Sequence, residues 1–135
     1  MRKSGFVIVD TAVWVDFFHR RQTPQVLALK NLARAGDVAT GDLVLHEVLR
    51  GFADEQQRER VLRTLSPLIC YDMLGRDRAL RSASRYRELR RRGVTVRKPN
   101  DAIIASFCID EHLPLLSSDR DFAAYRELGL DLVTG

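Results

Sequence analysis

Residues 5–18, GFVIVDTAVWVDFF, decide how the rest of the chain is read. Gly5 to Asp10 is a short apolar run rich in β-branched residues, the mark of a buried strand. Thr11 opens a helix that the pattern carries to about Arg20. The same alternation recurs downstream. Thr23-Pro24 supplies a capping hydroxyl and a first-turn proline for a helix to about Ala35, which stops at Gly36. Asp37 to Thr40 is a short strand. Asp42 is expected to cap a helix ending near Gly51, and Asp54 another to about Leu65. Leu68 to Tyr71 is a further strand, followed by a long helix over Gly75–Arg92 that Gly93 closes. Leu80, Ala83, Tyr86 and Leu89 are its expected apolar face. Asn100 is expected to cap a helix from Asp101 to about Glu111. Leu115–Ser117 is a strand, Asp119–Leu128 a helix, and Leu130–Val133 the last strand. Strands that alternate with helices predict an α/β fold with a central parallel sheet covered on both faces.

Bulk composition narrows the rest. The 135 residues, 45% hydrophobic, suit a single domain over 1–135 with a real core. No apolar run approaches the ~18 residues that a membrane span needs. Arg2 and Lys3 precede only Phe6 to Val9, too short for the apolar region of a signal peptide. Cys70 and Cys108 make no metal or redox spacing, as expected of two reduced thiols in a cytoplasmic protein. The net charge of +4 is uneven. Between Arg76 and Lys98 ten basic residues face only Asp77 and Glu88, so that segment carries +8 and the remainder −4. A basic element on an acidic body suggests a polyanionic partner, the alternative being a solvated helix face.

Four carboxylates stand where apolar residues or caps are expected: Asp10 ends the first strand, Glu47 lies within the helix DLVLHEVLRGF, Asp101 opens NDAIIASFCI, and Asp119 follows LPLLSS, with Asp121 two residues on. Sites in open parallel sheets form beyond the carboxyl ends of the strands, where Asp10, Asp101 and Asp119 are all placed. Each has an ordinary explanation as a cap or dipole partner, but Thr11, Asn100 and Ser118 are adequate caps beside them. Glu47 falls on the edge of an apolar arc made by Leu43, Val44, Leu45, Val48, Leu49 and Phe52, where an unpartnered charge is costly. Two carboxylates ~4 Å apart repel by about 4 kcal/mol at an effective dielectric near 20, and a hard divalent cation offsets that.

Oxygen donors without cysteine or histidine favour Mg2+ or Mn2+ over zinc. His46-Glu47 does not extend to the zinc-protease pattern, because Arg50 stands at its fifth position. His19, His46 and His112 are expected at the surface, and no Gly-rich phosphate loop is present. A carboxylate-held metal suits phosphodiester hydrolysis. The basic segment, through Arg85, Arg91, Arg92, Arg97 and Lys98, is expected to hold phosphates that the acids alone would repel.

Together these residues resemble the PIN-domain ribonucleases, and among them the VapC toxins of bacterial toxin–antitoxin pairs. The likeness runs through VIVDTAVWVDFF, VATGDLVLHEVLRGF and RRRGVTVRKPNDAIIASFCIDEHLPLLSSDRDF, nearly the whole chain. It implies a three-layer α/β/α sandwich. It implies a metal site of Asp10, Glu47, Asp101 and Asp119, with Asp121 auxiliary and Thr11 and Ser117 in support. It implies Mg2+- or Mn2+-dependent cleavage of RNA to a 5′-phosphate and a 3′-hydroxyl, transfer or ribosomal RNA being the open choices. It also implies a homodimer neutralised by a VapB antitoxin. Two other readings stand beside it. One is a non-catalytic RNA-binding or regulatory PIN domain, motivated by the Arg-rich helix. The other is an aspartyl phosphoryl-transfer domain, for which Ala12 occupies the position where a second aspartate is needed.

Overall fold

A computed structural model describes residues 5–135; Arg2 and Lys3, weighed above, lie outside the described residues. Five parallel strands form the sheet: β1 (Val7–Val9), β2 (Val38–Gly41), β3 (Cys70–Tyr71), β4 (Leu115–Leu116) and β5 (Leu132–Val133), in the order β3-β2-β1-β4-β5. Register runs Ile8 to Ala39 on one side of β1 and Ile8 to Leu115 on the other. Val7, Ile8 and Val9 are essentially inaccessible, as strands covered on both faces must be.

The helices are α1 (Thr11–Phe18), α2 (Pro24–Arg34), α3 (Asp42–Arg50), α4 (Glu55–Leu65), α5 (Arg76–Arg91) and α6 (Pro99–Glu111), with a 3₁₀ helix over Arg120–Leu128. The chain moves outward from β1 through β2 to β3, then returns to β4 and β5. With right-handed crossovers, that reversal puts α1–α4 on one face and α5, α6 and the 3₁₀ helix on the other. The packing agrees: α1 contacts α2 and α3, α3 contacts α4, and α5, α6 and the 3₁₀ helix contact one another. The result is the expected three-layer α/β/α architecture. No helix among the described residues is long and apolar enough to cross a membrane.

Four expectations change. The segment 120–128 is a 3₁₀ helix, not an α-helix. Three residues per turn stack Phe122, Tyr125 and Leu128 on one face, and the first two are fully buried there. Asp42 is the first residue of α3 rather than its cap, which is Gly41. Its carboxylate accepts instead from the backbone N–H groups of Leu43 and Met73, tying the loop after β3 to the start of α3. Gly41 has no room for a Cβ, which would overlap the side chain of buried Met73. Lys98, not Asn100, stands at the N-cap position of α6, without a side-chain cap, and Pro99 is its first residue, so the Asn100 side chain is free for other work.

The fourth change concerns α5. Leu80 is 64% exposed and Ala83 is also open to solvent. The side turned toward α6 carries Arg78, Arg81 and Arg85 with buried Ser82 and Leu89. Arg85 Nη1 donates to Asp110 Oδ1 at 2.8 Å, to Ser106 Oγ at 2.6 Å and to the Ser106 carbonyl at 3.1 Å. Arg81 Nε lies 3.1 Å from Asp110 Oδ2, and Arg78 reaches Glu111 at 3.1 Å while lying over the Phe107 ring. The interface is built from charge because α6 presents Asp110 and Glu111 beside Phe107, and guanidinium groups satisfy both acid and ring.

Candidate active site

Strand order reverses between β1 and β4, and the crevice beyond their carboxyl ends is where a doubly wound sheet forms its site. Asp10 follows β1 directly, and its N–H still donates to the Leu116 carbonyl of β4 at 2.9 Å. Its side chain caps α1 by accepting from Thr11 N–H at 2.8 Å, the task that sequence reasoning had left to Thr11. Ser117 Oγ donates across the crevice to Asp10 Oδ2 at 3.0 Å and accepts from Asp119 N–H at 2.9 Å. One serine, 1% exposed, therefore joins the ends of the two central strands. Asp119, rather than Ser118, caps the 3₁₀ helix, accepting from Asp121 N–H at 2.9 Å.

Glu47 enters from α3, half-buried, with Val44 and Val48 anchoring its helix in the core. Freed from capping, Thr11 Oγ1 donates to Glu47 Oε1 at 2.7 Å. Asn100 Nδ2 donates to Glu47 Oε2 at 3.3 Å. Asp101 lies in the first turn of α6, where the helix dipole favours an anion. Seven of this helix's thirteen residues are buried, so the core on all sides fixes its position.

Electrostatics ties the acids together. Asp10, 3% exposed, is raised to about 6, chiefly by burial, against hydrogen bonds from Ser117 and Thr11 and with added repulsion from Asp119 and Glu47. Asp101, 6% exposed, is pushed up to about 7 by burial and then by Asp10, with Lys98 opposing. All four expected acids thus act on one another at the switch point. As they stand, no three carboxylates among the described residues are close enough to form a direct metal cage. Glu47 is engaged by Thr11 and Asn100, and Asp10 by Ser117 and Thr11.

Two cations from the loop before α6 reach the acids: Lys98 Nζ is 3.9 Å from Asp119 Oδ2, and Arg97 is 3.5 Å from Asp121 Oδ1. The other expected phosphate contacts are placed differently. Arg85 is committed to α6, as described. Arg91 pairs with Glu88, and Arg92 with Glu88 at 3.0 Å and Glu127 at 2.8 Å. Sequence reasoning missed Asn100 as a site residue. A helix start offers the same signal for a cap as for a side chain that reaches across to another helix.

Known proteins bear on this geometry. The PIN domain profile matches residues 7–128. The chain is 29% identical over 121 residues to "VapC ribonuclease Mb1587" of Mycobacterium bovis, covering 86% of this chain and 88% of that protein. Its fold is similar to that of VapBC2 from Rickettsia felis, solved bound to a promoter DNA fragment, with a TM-score of 0.76, 23% identity and coverage of 95% and 97% of the two chains. VapBC-5 from Mycobacterium tuberculosis aligns with a TM-score of 0.62 at 27% identity, covering 96% of each chain. With that profile spanning both central strands and every acid of the crevice, the chain belongs to the PIN-domain family.

Proposed function

We propose that this protein is a Mg2+- or Mn2+-dependent endoribonuclease toxin, a homodimer restrained by a VapB-like antitoxin. The observation that carries the reading is the pair Asp10 and Asp101. Both are all but removed from water, and both carboxyls are raised toward neutrality by burial and by neighbouring acids. Capping α1 and bonding Ser117 accounts for one carboxylate, Asp10, but not for a second buried acid beside it, and a bound dication would stabilise both in the charged form. The curated relatives that match are named as ribonucleases, and the aligned solved structures are toxin–antitoxin complexes, which supports the same reading.

The donor set fits a hard cation. Mg2+ keeps several waters and takes only one or two carboxylates directly, so a ring of acids held slightly apart suits it better than a closed cage. Asp10 and Asp101 would hold the ion, with Glu47, Asp119 and auxiliary Asp121 acting on it directly or through water. When bound, such an ion lowers the pKa of an attached water and neutralises charge at the scissile phosphate. The chain's own part is positional. Ser117 and Thr11 N–H orient Asp10, Thr11 Oγ1 orients Glu47, and Lys98 and Arg97 at the rim are free to exchange their acids for phosphate oxygens. Hydrolysis would leave a 5′-phosphate and a 3′-hydroxyl. The apolar side of α5 around Leu74 and Leu80, open to solvent, is the surface a second copy would bury. Free cysteines at 70 and 108 suit a cytoplasmic setting.

The test is cleavage of transfer and ribosomal RNA by purified protein with Mg2+ or Mn2+. Loss of cutting in chelator and in Asp10→Asn, with the fold intact, is expected; cutting undiminished by chelator sinks the metal reading. RNA binding without cleavage at any metal concentration would instead establish the non-catalytic reading. That reading loses support here, because three arginines of α5 are spent on α6.

A further inference from the structure

Glu47 is the acid that reaches the site from the middle of a helix, so its long side chain needs an outside hold. That hold comes from both layers. Thr11 Oγ1, on α1, donates to Oε1 at 2.7 Å. Asn100 Nδ2, on α6, donates to Oε2 at 3.3 Å. Helices α1 and α3 pack on one face of the sheet and α6 on the other, so Asn100 is the link that fixes Glu47 across the crevice. The amide must present its nitrogen here, because an ionised carboxylate only accepts. Asn100 is half-buried and caps nothing, as Lys98 takes that position. With one donor on each oxygen, Glu47 keeps lone pairs on both for a cation.

We infer that Asn100 is a positioning residue: its side-chain amide holds the Glu47 carboxylate in the metal-binding orientation from the opposite layer of the fold. This rests on the metal-dependent reading above only for its consequence, not for the contact. Partners that orient metal-binding groups typically change affinity or activity by about 10- to 100-fold when removed. The energetic signature is dependence on Glu47, since a residue that acts through another has no effect once the other is gone.

Two measurements decide it. In the metal-free protein, the Asn100 side-chain amide protons should be shifted and slow to exchange by NMR, and Glu47→Ala should remove both features. Amide signals insensitive to Glu47→Ala overturn the contact whether or not the protein binds metal. Calorimetric Mn2+ titration of wild type, Asn100→Ala, Glu47→Ala and the double variant reads the consequence. Asn100→Ala should weaken Mn2+ binding about tenfold, and the double variant should bind as Glu47→Ala does. An Asn100→Ala effect of the same size in both backgrounds, or none in either, overturns positioning through Glu47. If Asn100→Ala does not fold, Asn100→Leu, which keeps the volume and lacks the donor, carries the same comparison. A wild type that binds no Mn2+ refutes the metal reading, and the NMR arm still decides the hold on Glu47.

Discussion

Charge accumulates in two regions of this molecule, and the fold treats them in opposite ways. Along the α5–α6 interface the arginines have found their counterions. Burial works against Asp110, yet hydrogen bonds from Arg85 and Arg81 hold its carboxyl below the usual range. At the switch point, Asp10 and Asp101 are buried more deeply; Asp10 is met by the neutral donors Ser117 Oγ and Thr11 N–H, and both carboxyls are repelled by further acids. In the first region charge holds two helices together. In the second, charge is kept at a cost that folding alone does not explain. The difference separates two kinds of buried charge: one answered within the chain is structural, and one left for an outside partner marks a site.

The largest effect expected from this contrast is on catalysis. Asp10→Asn and Asp101→Asn should each lower RNA cleavage on the order of a hundredfold or more while leaving the fold intact, read by end-labelled RNA assays beside circular dichroism. Retained activity would move Asp10 and Asp101 into the structural class. Next in size is the converse at the interface. Arg85→Ala takes away one of the two guanidinium partners of Asp110, leaving Arg81, and should destabilise the protein by about 2 kcal/mol, with cleavage per folded molecule unchanged. Denaturant melts and activity normalised to folded protein test this together. A variant that melts normally but loses RNA affinity would return Arg85 to the phosphate contacts.

A smaller effect concerns pH. Both site carboxyls titrate higher when folded, at about 6 and about 7 from an ordinary 3.8, so the folded chain retains protons the unfolded chain has released. Stability of the metal-free protein should therefore fall as pH rises from about 4 to 7, by on the order of 1–3 kcal/mol. Asp101→Asn should flatten that dependence and raise the melting temperature at pH 8. A metal-free protein that gains stability over the same window would contradict the sign. Smallest of all, Arg91→Ala removes only a solvent-exposed pair with Glu88, and the melting temperature should not move measurably.

Much of this contrast was legible before the tertiary structure. Strand and helix order follow from runs such as FVIVD and from Pro24, Gly36 and Gly93, because apolar periodicity and backbone constraints act over a few residues. The four acids stood out because each interrupted such a pattern. What failed was the assignment of partners. Thr11 and Ser118 were given caps that Asp10 and Asp119 hold instead, and Asn100 was given one at a helix start where Lys98 stands and no side chain caps. A short polar side chain near a helix start looks the same whether it bonds its own backbone or a residue dozens of positions away. Of the expected apolar face of α5, Leu89 and Tyr86 pack against the core, but Leu80 and Ala83 face solvent, because Asp110 and Phe107 on α6 favour guanidinium groups, a preference that depends on a neighbour not yet placed.

The sequence by itself determined the alternation of strands and helices, and with it the edge of the sheet at which Asp10, Asp101 and Asp119 had to emerge, since a crossover connection constrains where each element begins. Only the tertiary structure decided which charges are answered. Arg85 met Asp110 across 25 residues and Asn100 met Glu47 across 53, while Asp101 met other acids and Asp10 met them beside the neutral hydroxyl of Ser117. Coulomb and hydrogen-bond energies depend on distance and burial, and both quantities come into being only when the layers close.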